Sequence, residues 1–274
     1  MKVRRIRAPN PGLFTGTGTN TWVASSGESA VIVDPGPAIA SHLNSIKATL
    51  TGLRPIAVLV THCHPDHSTS ANELADELGV PVMAGRPGPG LQPHETLYDG
   101  QSIQVGDAVI DAIYTPGHTP DHFCFRTEAS LFSGDHLIAG PTVITEHMAN
   151  YLDSLRKVQG IGITRLLPGH GPIMRNAKEV IRQSIDHREE RERQIVAAIE
   201  GGATWIGEIV EHVYSDIDSA FYGMAARAVG AHLRKLTDEG RVILPRGSDD
   251  WIAPVALVGP PTPGKGTRRK VVGD

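Results

Sequence analysis

Two cysteines, Cys63 and Cys124, are all that the 274 residues contain. That is too few for a disulfide scaffold, and it suits a reducing compartment. Apolar runs of membrane-spanning length are missing as well. The basic start, MKVRRIRAPNPGLF, is not followed by the apolar stretch of a secretory leader. Together these absences set the expectation of a cytoplasmic protein without membrane contact. Positive charge is not in excess either: 26 Lys and Arg stand against 30 Asp and Glu, for a net charge of −4. The molecule as a whole is therefore no electrostatic nucleic-acid binder. A phosphate-rich partner must be held by a local feature, such as a metal site or a short basic patch.

What is present is a 40% hydrophobic share, enough for a globular core, and length for a large domain plus a small one. Short apolar runs at 21–24, 30–34, 56–60, 111–115, 122–125 and 131–135 read as strands between turn residues. Helical patterns fall at about 38–50, 69–78 and 149–159, the second with Ser68 or Thr69 as N-cap and Gly79 as its stop. Strands before and between helices imply a layered α/β domain. From 176 to 202 the sequence is helical and densely charged, which predicts a connecting helix. Residues 203–257 then read helix, helix and two short strands (RVILP and DWIAPV), the layout of a winged helix. The stretch 258–274 has no apolar periodicity and is expected to be a flexible tail.

Histidine is plentiful, at 13 residues, and it is concentrated in THCHPDH, residues 61–67. In an extended segment, positions two apart share a side, so His62 and His64 can converge on one ion. Pro65 turns the chain, and Asp66 and His67 at the mouth of the next helix can reach a second ion. Further donors follow apolar runs and sit beside glycines: His118 in TPGHTPDH, Asp135 in FSGDH and His170 in LLPGHG. Imidazole with carboxylate suits Zn²⁺, Mn²⁺ or Fe and needs no thiolate. By alternation Cys63 points away from the ions into the core.

HCHPDH with a later His, Asp and His resembles the metallo-β-lactamase superfamily signature over about residues 12–175. The resemblance implies an αββα sandwich with a dinuclear site at one edge of its two sheets. It places His62, His64 and His118 on the first metal, Asp66, His67 and His170 on the second, and Asp135 between them. HREERERQIVAAI, AARAVGAHLRKLTDEGRV and the loops TPGHTPDH, SGDHLIAG and PGHGPIM are similar to the β-lactamase-like protein 2 subfamily. That subfamily contains a metal-dependent endoribonuclease preferring single strands, and the likeness spans all but about the last seventeen residues.

The expected fold class is therefore α/β, an αββα metallo-β-lactamase sandwich with a small C-terminal winged-helix domain. Residues 1–175 form the catalytic domain, 176–202 the connecting helix, 203–257 the winged helix and 258–274 the tail. The expected cofactors are two divalent ions, zinc first with manganese or iron as alternatives. The expected reaction is hydrolysis of single-stranded RNA by a metal-bridged hydroxide that Asp66 orients. The alternative is a glyoxalase II-like thioester or lactone hydrolase acting on a small acyl substrate. Class B β-lactamases usually carry cysteine where Asp135 stands, so β-lactam hydrolysis is expected only as a weak side activity. The 35 positions from Asp135 to His170 leave no room for the inserted domain of the β-CASP nucleases. His122, His136 and His147 are read as structural or solvated, and no general acid is assigned. Thr19 and Asn20, in TGTGTN before a strand, are expected to border the cleft and touch substrate.

The winged-helix region carries five Lys or Arg against eight Asp or Glu, a poor phosphate binder unless its charges segregate. Arg227, Arg234 and Lys235 are the candidates for such a patch, and Lys265, Arg268, Arg269 and Lys270 are the densest basic cluster. Shaping the substrate cleft and forming a homodimer are other roles expected for this region.

Overall fold

The computed structural model describes residues 1–139, 143–243 and 254–258. The expected tail, apart from Val258, lies outside them, as do its four basic residues and Asp250–Ala253 of the second wing strand.

The first sheet is built from β1 (Lys2–Arg7), β2 (Asn20–Ser26), β3 (Ser29–Val33), β4 (Arg54–Leu59), β5 (Val82–Ala84) and β6 (Glu95–Thr96), in that spatial order. β1, β2 and β3 are antiparallel neighbours, and β3 to β6 run parallel. The crossovers carry α1 (Ala40–Thr49), then α2 (Pro65–Ser68) and α3 (Ala71–Leu78). Every residue of β3 is buried, and the period of two divides them. Ala30 and Ile32 join Leu43 and Ile46 of α1 and Leu74 of α3, while Val31 and Val33 face the other way, into the second sheet.

That second sheet comprises β7 (Ser102–Val105), β8 (Ala108–Tyr114), β9 (Phe123–Thr127), β10 (Ser130–Gly134) and β11 (Arg165–Pro168), in the order β11-β10-β9-β8-β7. Its Ile110, Phe125, Phe132 and Leu167 meet Trp22, Val33 and Leu59 in one core between the sheets. α4 (Met148–Gln159) joins β10 to β11 and buries Tyr151, Leu152, Leu155 and Val158. α5 (Ala177–Glu200) follows β11. This is the expected sandwich. The helix after THCHPDH departs in detail from expectation: its cap is Ser70, because Pro65–Ser68 already form a separate turn, α2. Gly79 stops α3 in the left-handed region, at φ +66.

Two compact units divide within α5, after Glu192. The second contains the end of α5, α6 (Ile206–Val213), a 3₁₀ turn (Ser219–Phe221), α7 (Tyr222–Asp238), β12 (Val242–Ile243) and β13 (Ala256–Leu257). β12 and β13 pair antiparallel. Ile195 and Ile199 pack with Ile206, Ile209, Val229, Leu233 and Val255 in a separate core, so helix, helix and hairpin close as the sequence implies. Among the described residues no helix is long and apolar enough to cross a membrane.

Candidate metal centre

β4 leads directly into Thr61 and His62, both fully buried. His64 is extended (φ −62°, ψ 139°), and Pro65 occupies the first turn of α2, where its missing N–H and fixed φ cost nothing. That turn carries Asp66 and His67 to the far side of the cluster. His118 follows β8 beyond Gly117, whose φ of +144° favours glycine and whose Cβ would lie 2.5 Å from the Tyr151 backbone. Asp135 leaves β10 at Gly134. His170 leaves β11 at Gly169, where a Cβ would stand 2.5 Å from both Asp135 Oδ1 and the His67 ring. Glycine at 169 is thus what lets three donors crowd together.

All seven expected ligands meet here. His62 Nε2 lies 2.9 Å from His64 Nδ1, which lies 3.1 Å from His118 Nε2. On the other side, His67 Nε2 is 3.2 Å from His170 Nε2, and both are 3.3 Å from Asp66 Oδ2. Asp135 stands between the groups, at 3.4 Å from His67, 3.3 Å from His170 and 3.8 Å from His118. Three donor sets could each hold an ion: His62, His64 and His118; His62, His67 and Asp135; and Asp66, His67 and His170.

The hydrogen bonds around the cluster fix where its imidazole protons sit. His118 Nδ1–H donates to the Ile144 carbonyl at 2.7 Å, leaving Nε2 a bare lone pair. Thr61 gives its hydroxyl proton to Asp34 Oδ2 (2.8 Å), so it accepts from His62 Nδ1–H (3.0 Å), and His62 Nε2 is bare too. His67 Nδ1–H donates to Asp34 Oδ2 at 2.9 Å. Two bare nitrogens thus face His64 Nδ1, which has at most one proton to share. A tetrahedral ion with bonds of about 2.0–2.1 Å would take all three at mutual spacings of about 3.3 Å. Asp135 Oδ1 is buried without a hydrogen-bond partner among the described residues, a position an ion would satisfy. The residues fit a metal with nitrogen and oxygen donors.

Without metal, the two halves hold protons differently. Burial, then repulsion from neighbouring imidazoles, lowers His62, and lowers His64 to about 4. Burial also opposes charge on His170, but hydrogen bonds to Asp135 and Asp66 override it and raise the imidazole to about 9. His67 is raised against its burial by Asp66, Asp135 and Asp34. Asp66 resists the upward push of burial and is held below the usual carboxylate range by His67 and His170.

Other residues singled out in the sequence lie around this centre. Thr19 and Asn20 are fully buried behind the ligands rather than on the cleft surface. Thr19 Oγ1 donates to Asp66 Oδ2 (3.0 Å), while Asn20 Nδ2 donates to the carbonyls of Pro168 (3.0 Å) and Gly171 (2.9 Å), bracketing His170. Cys63 turns away from the cluster toward Asp121 and Arg86. His122 and His136 are fully buried, with burial lowering both, His136 to about 3, so neither is a cationic acid near neutrality. The His147 backbone precedes the first turn of α4.

Two buried carboxylates beside the cluster carry no ligand spacing in the sequence. Asp34, at the end of the apolar run AVIVD, receives Thr61 N–H (2.7 Å) as well as the Thr61 hydroxyl and His67. Asp121 receives the Cys63 N–H at 2.9 Å. Their signal is a charged residue at the edge of an otherwise apolar strand or turn, which by itself names no ligand.

Comparison with known proteins shows the family and the fold. Residues 14–170 match the "Metallo-beta-lactamase superfamily" family and residues 206–251 the "Beta-lactamase associated winged helix domain". A Caenorhabditis elegans Beta-lactamase-like protein 2 homolog is 32% identical over 252 residues, covering 88% of this chain and 85% of the relative. An Aspergillus fumigatus atrochrysone carboxyl ACP thioesterase is 29% identical, covering 94% and 89%. The crystal structure of a beta-lactamase domain protein from Burkholderia ambifaria has the same fold, with a TM-score of 0.79 at 23% identity, covering 93% of this chain and 91% of that one. The converging imidazoles and carboxylates all lie within residues 14–170, a family match over more than half the chain, and the chain belongs to the metallo-beta-lactamase superfamily, among its hydrolases.

Proposed function

We propose that the protein hydrolyses phosphodiester bonds in single-stranded RNA. The observation that carries this reading is the pairing of two donor groups around Asp135, an arrangement suited to holding both the attacking and the leaving oxygen of a displacement at phosphorus. The likeness to Beta-lactamase-like protein 2 homolog along 88% of the chain, winged helix included, supports it. His62, His64 and His118 would hold one ion, Asp66, His67 and His170 the other, with Asp135 between; zinc suits the donors best, with manganese or iron as alternatives. When bound, such ions supply Lewis acidity, acidify water toward neutral pH and balance the charge that develops on a phosphoryl oxygen.

The chain's own groups do the rest. Asp66 stays ionised, is steadied by the Thr19 hydroxyl, and orients the attacking water. Asn20 fixes the loop that presents His170. His122 and His136 are buried and neutral, so neither is the acid that protonates the departing oxygen.

A second reading is thioester hydrolysis, favoured by the thioesterase relative aligned over 94% of the chain. The experiment is cleavage of end-labelled single-stranded RNA by metal-loaded protein beside Asp135→Ala, with an acyl thioester run in parallel. RNA cleavage lost in the variant supports the first reading. Thioester turnover that depends on Asp135, without RNA cleavage, would replace it by the second.

A further inference from the structure

We infer that Arg5 and Arg7, with Thr17, form an anion subsite beside the metal centre that takes a phosphate of the substrate strand away from the scissile bond; this rests on the RNA reading above. The two arginines lie two apart on β1, so their side chains leave the same face of the strand. They line a cavity of about 410 Å³ whose wall also includes His170, Leu13 and Phe14. The cavity therefore runs up to a residue of the second donor group.

Charge is what makes it a site. Arg5 Nη1 donates to the Gly171 carbonyl (3.2 Å) and Arg7 Nη1 to Thr17 Oγ1 (3.4 Å). Both partners are neutral, and among the described residues no carboxylate pairs with either guanidinium. Elsewhere in the same unit, exposed Arg156 and Arg182 do pair with carboxylates. Two aimed cations with no counter-charge, inside a concave surface of a protein with a net charge of −4, fit an anion with several acceptor oxygens. Guanidinium is suited to phosphate because its forked donors match the geometry of the oxygens.

The apolar side of the cavity fits the same ligand. Leu13 and Phe14 are exposed (66% and 64%) at the tip of a loop closed by paired bonds between Gly12 and Gly16. The loop is anchored to the site, since Thr19 at its base bonds Asp66. An aromatic face beside a phosphate anchor suits the base attached to that phosphate, as in single-strand binding generally.

The test is binding of a fluorescein-labelled 2′-O-methyl single strand, which resists cleavage, to the full-length metal-loaded protein across a salt series. Variants are Arg5→Ala/Arg7→Ala and a charge-matched control, Lys2→Ala/Arg4→Ala, on the opposite face of β1. Loss of this one phosphate contact should weaken binding by about tenfold and flatten log K against log salt by about 0.7, the value per phosphate on a single strand. The control should keep the wild-type slope. Equal loss in both pairs, no change in the first pair, or no binding by the wild type would each overturn the subsite. Binding that depends on Arg5 and Arg7, in a protein that cleaves no RNA, would uphold the subsite and remove the nuclease reading. Cleavage with binding indifferent to both arginines would do the reverse.

Discussion

Asp34 closes β3 in the left-handed region, at φ +51°, a conformation that aspartate tolerates better than most side chains. Its carboxylate takes three donors, two from Thr61 and one from His67. Asp34→Asn keeps the shape but turns one acceptor into an NH₂ group, which must face a donor. His67 then loses the partner that fixes its tautomer. We expect metal affinity to fall by about 10–100-fold with an unchanged circular dichroism spectrum, measured by competition with a chromophoric chelator. Wild-type affinity in this variant would show that the tautomer is held by other means. Protonation supplies a second prediction at this scale. His170 is raised to about 9 and His67 is raised as well, so in the metal-free protein protons occupy the second donor group and an incoming ion must displace them. Affinity for that ion should rise with pH from about 6.5 to about 9, while binding at lowered His62 and His64 stays flat over that range. The raised His170 also stabilises the metal-free fold fully below the unfolded value near 6.5, and this contribution is lost as pH rises through about 9. Proton release measured in weakly buffered solution during metal titration checks the sign: release confined to the first equivalent would contradict it.

Among the elements, loops aim the candidate ligands and helices hold the loops. Arg188 of α5 is buried (3% exposed), lies over the Tyr151 ring of α4 at 5.3 Å and donates to the Val143 carbonyl. The next residue, Ile144, accepts from His118 Nδ1. Arg188→Met keeps the bulk and removes the donor, so it should weaken the first metal more than the second in a two-step titration; equal weakening would mean general loosening instead. Gly169→Ala tests the crowded side. Its methyl would meet Asp135 and His67, so it should cost metal binding and activity while the sheets stay folded. How much of this the sequence shows depends on the type of signal. β3 and β4 are legible because buried parallel strands are continuously apolar. β1 is not, because KVRRIR is an edge strand rich in cations, and β5 and β6 are too short to show a period. The seven candidate ligands are legible through the spacing within THCHPDH and, for His118, Asp135 and His170, through neighbouring glycines. Asp34, Asp121 and Arg188 act through hydrogen bonds across long sequence separations, and no local pattern marks them.

At the level of the whole chain, the C-terminal unit shows what a charge pattern leaves open. Arg227, Arg234 and Lys235 are spaced to suggest a basic face on α7, yet Lys235 pairs with Glu239 at 2.7 Å and the helix buries Ala225, Val229, Leu233 and Leu236. The unit's order of helices and strands was legible because it follows from hydrophobic period. Where its charges point was not, since that depends on which side of α7 faces α6. Each unit has a core of its own, and all seven candidate ligands belong to the first. An ion that binds only the folded first unit stabilises it by about 2.7 kcal/mol at a free concentration one hundred times Kd. For a domain of this size that is about 5–10 °C in Tm. Chelation should therefore lower the transition followed through buried Trp22 and leave unmoved a transition followed in the second unit, with Trp205 as its reporter once Trp251 is replaced by Phe. Trp22 lies in the core between the sheets and its indole N–H donates to the Pro168 carbonyl, two residues before His170, so it reads the metal loop as well as the core. A single transition shifted as a whole would show that the C-terminal unit owes its folding to the metal centre.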